Sequence, residues 1–353
     1  MTDVERKWTT HDTLFLNRFG SVHPSPDGKS ALFTVVQAML APEKSGYLAQ
    51  IFLAHGDGCL AEQLTAGELS SFDPQWSPDG KTFAYLSRGN IWMMDMETYT
   101  AQQLTDVPTG VSSYKWSPDG SRIAFTAADQ PTPEASDEKN APWIVGQVGQ
   151  NQRLYIISLV DLSAAPQPGQ PVTGADIHIG AREAPGAYQW SVDGRAIVFS
   201  HSRSFRQDDW PTTRLARLSL EDGLILPLGP DDRVVWDPQI SPDGRWVACK
   251  VYDHPAWEWS SQVHLLPMSG GPASPLADTA DRRPDILGWS ADGQWIYYLE
   301  THGTRLRLCA LPVDGSPPRV LFEPDGCIEN ARLNHTRSAL GFTLQTLTQP
   351  LEA

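Results

Sequence analysis

The chain has 353 residues and a net charge of −15, with 42 acidic and 27 basic side chains. Its lysines and arginines are scattered without a basic stripe, which argues against nucleic acid or an anionic membrane surface as a partner. No stretch approaches 18 apolar residues, and the N-terminus has no apolar run typical of signal peptides. We therefore expect a cytoplasmic protein that neither crosses nor binds a membrane.

Residues 1–20 come before any repeating pattern and form a first segment. Within it, Thr9-Thr10-His11-Asp12 precedes an apolar run that begins at Leu14. A threonine followed three residues later by an acidic residue is typical of a helix N-terminus. The pattern predicts a short helix in this segment.

From residue 21 onward the chain repeats one short turn motif, with six recognisable copies and a decayed seventh. The copies are Ser25-Pro26-Asp27-Gly28, Ser77-Pro78-Asp79-Gly80, Ser117-Pro118-Asp119-Gly120, Ser191-Val192-Asp193-Gly194, Ser241-Pro242-Asp243-Gly244, Ser290-Ala291-Asp292-Gly293 and Asn334-His335-Thr336-Arg337. Proline presets the backbone of such a turn, aspartate bonds back to it, and glycine adopts the left-handed conformation. We therefore interpret these aspartates and glycines as structural residues of hairpin turns.

Apolar residues follow each turn with the alternation typical of a strand that has one face buried. They occupy the third and fifth positions after the glycine, as in Phe83 and Tyr85 or Ile123 and Phe125. In four copies a tryptophan precedes the serine, and we expect its ring to fill the gap between neighbouring sheets. These residues are Trp76, Trp116, Trp190 and Trp289.

Two more strand-like segments follow each hairpin, and four strands per repeat are typical of a propeller blade. The sequence predicts an all-β, seven-bladed β-propeller of four-stranded antiparallel blades over residues 21–353, with an incomplete last blade. The predicted blades span 21–66, 71–106, 111–174, 186–229, 235–278, 285–322 and 327–353.

The third predicted blade carries an insertion over residues 127–152 that is polar and rich in proline. Long loops on a rigid scaffold often carry binding residues. Within this insertion, Glu134, Asp137, Glu138 and Trp143 are our candidates for residues that gate a substrate. A solvated loop without a role is the alternative interpretation.

No pattern in the sequence indicates catalysis. It contains no Gly-x-Ser-x-Gly elbow and no His-Glu-x-x-His, and its glycines belong to turns instead of a phosphate loop. We therefore expect no catalytic residues, no metal and no cofactor in this chain. The four cysteines lie in separate blades without metal-type spacing, so we expect reduced thiols.

The Ser-Pro-Asp-Gly turns, the Gln-Leu-Thr blade ends and the segment Asp208-Asp209-Trp210-Pro211-Thr212 resemble the N-terminal propeller of the prolyl oligopeptidase family of serine peptidases. The nearest likeness is to the acylaminoacyl-peptidase and dipeptidyl-aminopeptidase branch. The resemblance implies a noncatalytic propeller that gates short peptides toward a C-terminal α/β-hydrolase domain, which would carry the catalytic triad. We accordingly expect this chain to be a fragment of a longer peptidase.

Two other functions stay open at this point. The same turn motif occurs in TolB-like propellers, which suggests a free-standing scaffold for protein interactions. A propeller enzyme resembling oligogalacturonate lyase would instead use a central metal and histidines. The sequence does not determine the oligomeric state, and a homo-oligomer stays open.

Overall fold

The computed structural model describes residues 9, 15–40, 45–128, 150–160, 165–180, 187–253 and 260–346. These residues form antiparallel sheets in which strands follow one another in chain order, as in propeller blades. Blade one consists of β1 (Arg18–Pro24), β2 (Ser30–Leu40), β3 (Ser45–His55) and β4 (Glu62–Gln63). Blade two consists of β5 (Ser71–Trp76), β6 (Thr82–Ser87), β7 (Asn90–Asp95) and β8 (Ala101–Gln103).

Blade three contains the insertion, which falls between its second and third strands. Blade three consists of β9 (Val111–Trp116), β10 (Arg122–Ala128), β11 (Gln152–Ser158) and β12 (Gln170–Pro171). Blade four consists of β13 (His178–Ile179), β14 (Tyr188–Trp190), β15 (Ala196–Ser202), β16 (Arg214–Ser219) and β17 (Ile225–Leu228). Both β13 and β14 pair with β15, so together they form one interrupted inner strand.

Blades five and six are regular four-stranded sheets. Blade five consists of β18 (Val235–Ile240), β19 (Trp246–Tyr252), β20 (Ser261–Pro267) and β21 (Ser274–Pro275). Blade six consists of β22 (Asp285–Trp289), β23 (Trp295–His302), β24 (Arg305–Pro312) and β25 (Arg319–Phe322). A final hairpin follows, formed by β26 (Gly326–Leu333) and β27 (Leu340–Thr346).

The all-β class was predicted, but the prediction of seven blades is wrong. Six sheets have four or more strands, whereas the seventh repeat provides only the two-stranded sheet of β26 and β27 within the described residues. The propeller therefore has six blades and a closing hairpin. The repeat count misled because each turn motif specifies only the two strands that it joins, and these alone do not make a blade.

Helical structure is almost absent from the described residues and amounts to a 3-10 helix at Gln207–Thr212. The predicted N-terminal helix falls largely on residues outside the described part. Strand β1 already begins at Arg18, so residues 18–20, which we had assigned to the first segment, belong to blade one.

The core lies between neighbouring blades, because each sheet buries the same alternating face against the next. Phe83, Ile123, Ile197, Val247 and Ile296, each at the third position after its turn glycine, are completely buried. Apolar clusters join residues of consecutive blades, as between blades two and three and between blades four and five. This interlocking of successive repeats is what stabilises a propeller.

The decayed seventh turn closes the ring against the first turn. The Nδ2 of Asn334 donates to the carbonyl oxygen of Ser25 at 3.0 Å, and the hydroxyl of Thr336 donates to that of Pro26 at 2.8 Å. Asn334 occupies the position of the turn serine, and its Oδ1 accepts the backbone N–H of Ser338 and Ala339. The hairpin of β26 and β27 thus joins the end of the chain to its beginning.

Candidate functional site

The inner strands of the blades surround a central channel, and the sequence motif places equivalent side chains in it. The residue two before each turn serine is Gln75, Lys115, Gln189 or Gln239 in four successive repeats. Tryptophan indoles connect these strands around the ring. Trp76 donates to the carbonyl of His23, Trp116 to Gln75, Trp190 to Lys115 and Trp289 to Gln239, at 2.8–3.2 Å.

Backbone bulges aim further polar residues toward the channel. The ladder shifts register in β5, β18 and β26 around Asp73, Asp237 and Asn330, whose φ angles are 49°, 59° and 53°. Aspartate and asparagine tolerate this left-handed conformation better than other side chains with a Cβ. Bulges of this kind often reorient side chains near functional sites.

A cavity of about 550 Å³ opens among these strands, and we refer to it as the channel cavity. Its charged lining residues are three acids and three bases. They are Asp237, Asp285, Glu329, Lys115, Lys250 and Arg332. This volume and this mixture of charges suit a small zwitterionic ligand.

Lys250 is a buried charge of the channel cavity, with 8% of its surface exposed. Its Nζ lies 2.9 Å from Oδ2 of Asp237, 3.9 Å from Oδ1 of Asp285 and 4.9 Å from the ring centre of Trp236. Burial disfavours the charged lysine, but the carboxylates of Asp237 and Asp285 outweigh it and raise the pKa of Lys250. Lys250 therefore neutralises Asp237 and stays protonated.

Two other charged residues of the channel cavity, Lys115 and Glu329, have no such partner among the described residues. Lys115 makes no ion pair within the described residues, and its Nζ lies 5.7 Å from the ring centre of Tyr188. Burial and the nearby guanidinium of Arg332 lower the pKa of Lys115 to about 8. Glu329 is exposed at the cavity and is likewise unpaired in the part of the chain described. These two side chains keep their charge available to a ligand.

Across the channel, Arg332 and His23 approach Asp73. The distances from Asp73 Oδ1 are 3.8 Å to Nη2 of Arg332 and 3.7 Å to Nε2 of His23. Burial, reinforced by the charge of Arg332, holds the pKa of His23 well below its usual range. His23 is therefore neutral near pH 7.

The residues singled out from the sequence lie elsewhere. The gate candidates Glu134, Asp137, Glu138 and Trp143 fall outside the described residues. The turn aspartates stay within their own turns, where each accepts the hydroxyl of its serine at 2.5–2.6 Å, as Asp79 does from Ser77. The turn glycines have φ between 68° and 72°.

Sequence reasoning missed the charged channel residues, although one signal was present. Asp-Pro-Gln precedes the turn motif twice, at residues 73–75 and 237–239. In both copies the aspartate adopts the left-handed bulge conformation and the glutamine follows on the inner strand. Lys250 and Asp285 carry no comparable pattern.

In the described part of the chain, no group of three or more histidine, cysteine or acidic side chains is arranged to hold a metal ion. None of the four cysteines forms a disulfide, and Cys249 and Cys309 are buried. None of the described helical structure is long and apolar enough to cross a membrane.

Comparison with known proteins shows that the chain is similar to the N-terminal parts of peptidases. Residues 25–133 match the family described as the dipeptidyl peptidase IV N-terminal region. Dipeptidyl-peptidase 5 of Porphyromonas gingivalis is 24% identical over 320 residues, covering 80% of this chain and 45% of that protein. The uncharacterized peptidase YuxL of Bacillus subtilis is 36% identical over 93 residues, 25% of this chain and 14% of YuxL.

The fold is shared with a solved peptidase. The acylaminoacyl peptidase of Pyrococcus horikoshii superposes with a TM-score of 0.69 at 15% identity, over 98% of this chain and 52% of that one. The chain thus spans about half the length, or less, of the peptidases it matches. The resemblance predicted from the sequence, to the N-terminal propeller of the prolyl oligopeptidase family of serine peptidases, is confirmed.

Proposed function

We propose that this propeller binds short peptides in its central channel and controls their access to a peptidase hydrolase domain. The observation that carries the proposal is the channel cavity of about 550 Å³ with charges of both signs. A free peptide has an ammonium group at one end and a carboxylate at the other. Glu329 and Asp285 suit the ammonium group, and Lys115 suits the carboxylate.

Peptide binding can be measured on the chain itself by calorimetry with unblocked tri-alanine. The test variant is Asp285→Asn, because this side chain lines the cavity and is 73% exposed, so its loss should not disturb folding. The control is Asp222→Asn, an exposed turn aspartate of blade four that does not line the cavity. We expect binding several-fold weaker for Asp285→Asn alone; equal binding by both variants would contradict the proposal.

The hydrolase partner needs a separate test. The coding sequence beyond Ala353 should continue into a Gly-x-Ser-x-Gly motif followed by an aspartate and a histidine. The chain alone should then cleave no aminoacyl or acylaminoacyl p-nitroanilide, whereas the longer protein should. A stop codon after Ala353 would favour a free-standing interaction scaffold instead.

We also propose that the insertion acids Glu134, Asp137 and Glu138 assist in meeting the peptide amino group. The support is their charge and their position in the polar, proline-rich insertion predicted from the sequence. Replacing all three by alanine in the longer enzyme should change its preference among peptide N-termini. Unchanged preference would contradict a role of the insertion acids and favour the channel carboxylates as the groups that bind the peptide amino group.

A further inference from the structure

A second, smaller cavity of about 360 Å³ opens on the side of the channel that carries the turn motifs. We call it the turn-side cavity. Its lining residues include Lys115, His335 and Arg337, three side chains that are or can become cationic, and no aspartate or glutamate. This is unusual in a chain whose net charge is −15. The cavity is therefore lined by basic side chains although the chain as a whole is acidic.

The seventh turn differs in charge from the other six. Where they have aspartate and glycine, it has Thr336 and Arg337. The exchange removes a carboxylate from this turn and adds a guanidinium beside the cavity. The hydrogen bonds of Asn334 keep the shape of the turn, so the local structure is preserved despite the different residues.

Arg337 holds its position at a conformational cost. Its φ is 59°, in the left-handed region that the six turn glycines occupy, and arginine is unfavourable there. Residues kept in such a conformation tend to occur at functional sites. Glycine would fit this turn without that cost.

The guanidinium of Arg337 is largely uncommitted. Its Nη2 donates to the carbonyl oxygen of Ile240 at 3.2 Å, and it makes no ion pair with the residues described. Four of its five N–H donors remain for a ligand, and guanidinium binds a carboxylate with two parallel hydrogen bonds. Burial lowers the pKa of Arg337, which indicates a charge that lacks a neutralising partner.

We infer that the turn-side cavity is a binding site for a single carboxylate group, held by Arg337 and Lys115. The inference deepens the proposed function, on which it rests for its ligand: the carboxylate is the free C-terminus of a short peptide. Lys115 lines both cavities, so a peptide could extend from the acids of the channel cavity to the bases of the turn-side cavity.

The decisive variant is Arg337→Gly, which restores the residue found in the other six turns. It should weaken binding of unblocked tri-alanine at least tenfold and also raise the melting temperature, because the left-handed strain is relieved. A purely structural arginine would not produce this opposite pair of effects. The matched control is Arg245→Gln, a turn-side arginine whose side chain is 78% exposed and paired with Asp243.

Calorimetry with three probes identifies the ligand group: tri-alanine, its C-terminal amide, and inorganic phosphate. We expect the amide to bind wild-type protein at least tenfold more weakly than the free acid, and Arg337→Gly to bind both alike. Equal binding of acid and amide by the wild type would overturn the inference, even if the Asp285→Asn result still supported peptide binding. Phosphate bound as tightly as the peptide would overturn it as well.

Discussion

The buried ion pair between Lys250 and Asp237 provides the sharpest test of how the channel is held together. In Lys250→Met the carboxylates of Asp237 and Asp285 lose the ammonium group that lies 2.9 and 3.9 Å from them. Breaking a buried pair on one side costs about 3–5 kcal/mol. We expect the lower end, about 3 kcal/mol, because the pair borders the channel cavity.

The double variant Lys250→Met with Asp237→Asn separates the pair from the rest of the packing. Asparagine tolerates the φ of 59° at position 237, so the bulge should persist. With both charges gone, we expect the loss to shrink to about 1 kcal/mol, a coupling of about 2 kcal/mol or more. Lys81→Met, at an exposed lysine without an ion pair among the described residues, is the control and should be neutral.

Urea unfolding followed by tryptophan fluorescence measures these differences. If the 353 residues unfold as one unit at about 2.1 cal/mol/K per residue, a loss of about 3 kcal/mol lowers the melting temperature by roughly 4 °C. The reasoning is refuted if the double variant loses as much as the two single variants added together, since the charges would then not be coupled.

Three further predictions concern the scaffold and its response to pH. Trp289→Phe should cost about 2–4 kcal/mol, because it removes buried ring packing and the 2.8 Å hydrogen bond from the indole to the carbonyl of Gln239. By urea titration, Trp246→Phe, at an exposed ring, should cost under 1 kcal/mol. Equal losses in the two variants would contradict the role of the indole. The hydroxyl of Ser117 helps lower the pKa of Asp119 to about 2, below its unfolded value. The ionised carboxylate of Asp119 therefore stabilises the fold above pH 4, and this contribution is lost as the pH falls toward 2. Ser117→Ala should flatten the profile of melting temperature against pH between pH 5 and 2, and an unchanged slope would contradict this role of the hydroxyl. Lys115 has a folded pKa of about 8 and an unfolded pKa near 10.5, so it binds fewer protons in the folded state between these two values. The free energy of unfolding of the wild type should therefore rise between pH 8 and 10.5 relative to that of Lys115→Met. Parallel pH profiles of the two proteins would show that the pKa of Lys115 is not lowered.

The repeat motif predicted the strands well because its chemistry is local. A glycine with φ near +70° and a hydrogen bond from the serine hydroxyl to the aspartate close each hairpin, and neither depends on residues outside the turn. Likewise, alternation predicted the buried face, and Phe83 and Ile123 are fully buried. The repeat count did not predict the number of blades, because a blade also needs outer strands such as β8 and β12, which span only 3 and 2 residues and leave little periodic signal.

The candidate site was much less predictable, because it depends on residues far apart in the chain. Lys250 and Asp285 are 35 positions apart in the chain, and they approach each other because blades five and six are adjacent around the axis. The composition predicted an acidic protein and could not locate a cavity lined by bases. The pKa of Lys115 likewise follows from Arg332, which the closing hairpin brings to the channel.

By itself, the sequence determined the all-β class, the hairpin turns, the buried alternating faces and the resemblance to peptidase propellers, since all of these depend on residues close together in the chain. The tertiary structure decided how many blades form and which charges meet in the channel. It also placed Arg337 of the last turn beside Ile240 of blade five. Those contacts arise from ring closure, in which residues 309 positions apart, Ser25 and Asn334, become hydrogen-bonded neighbours.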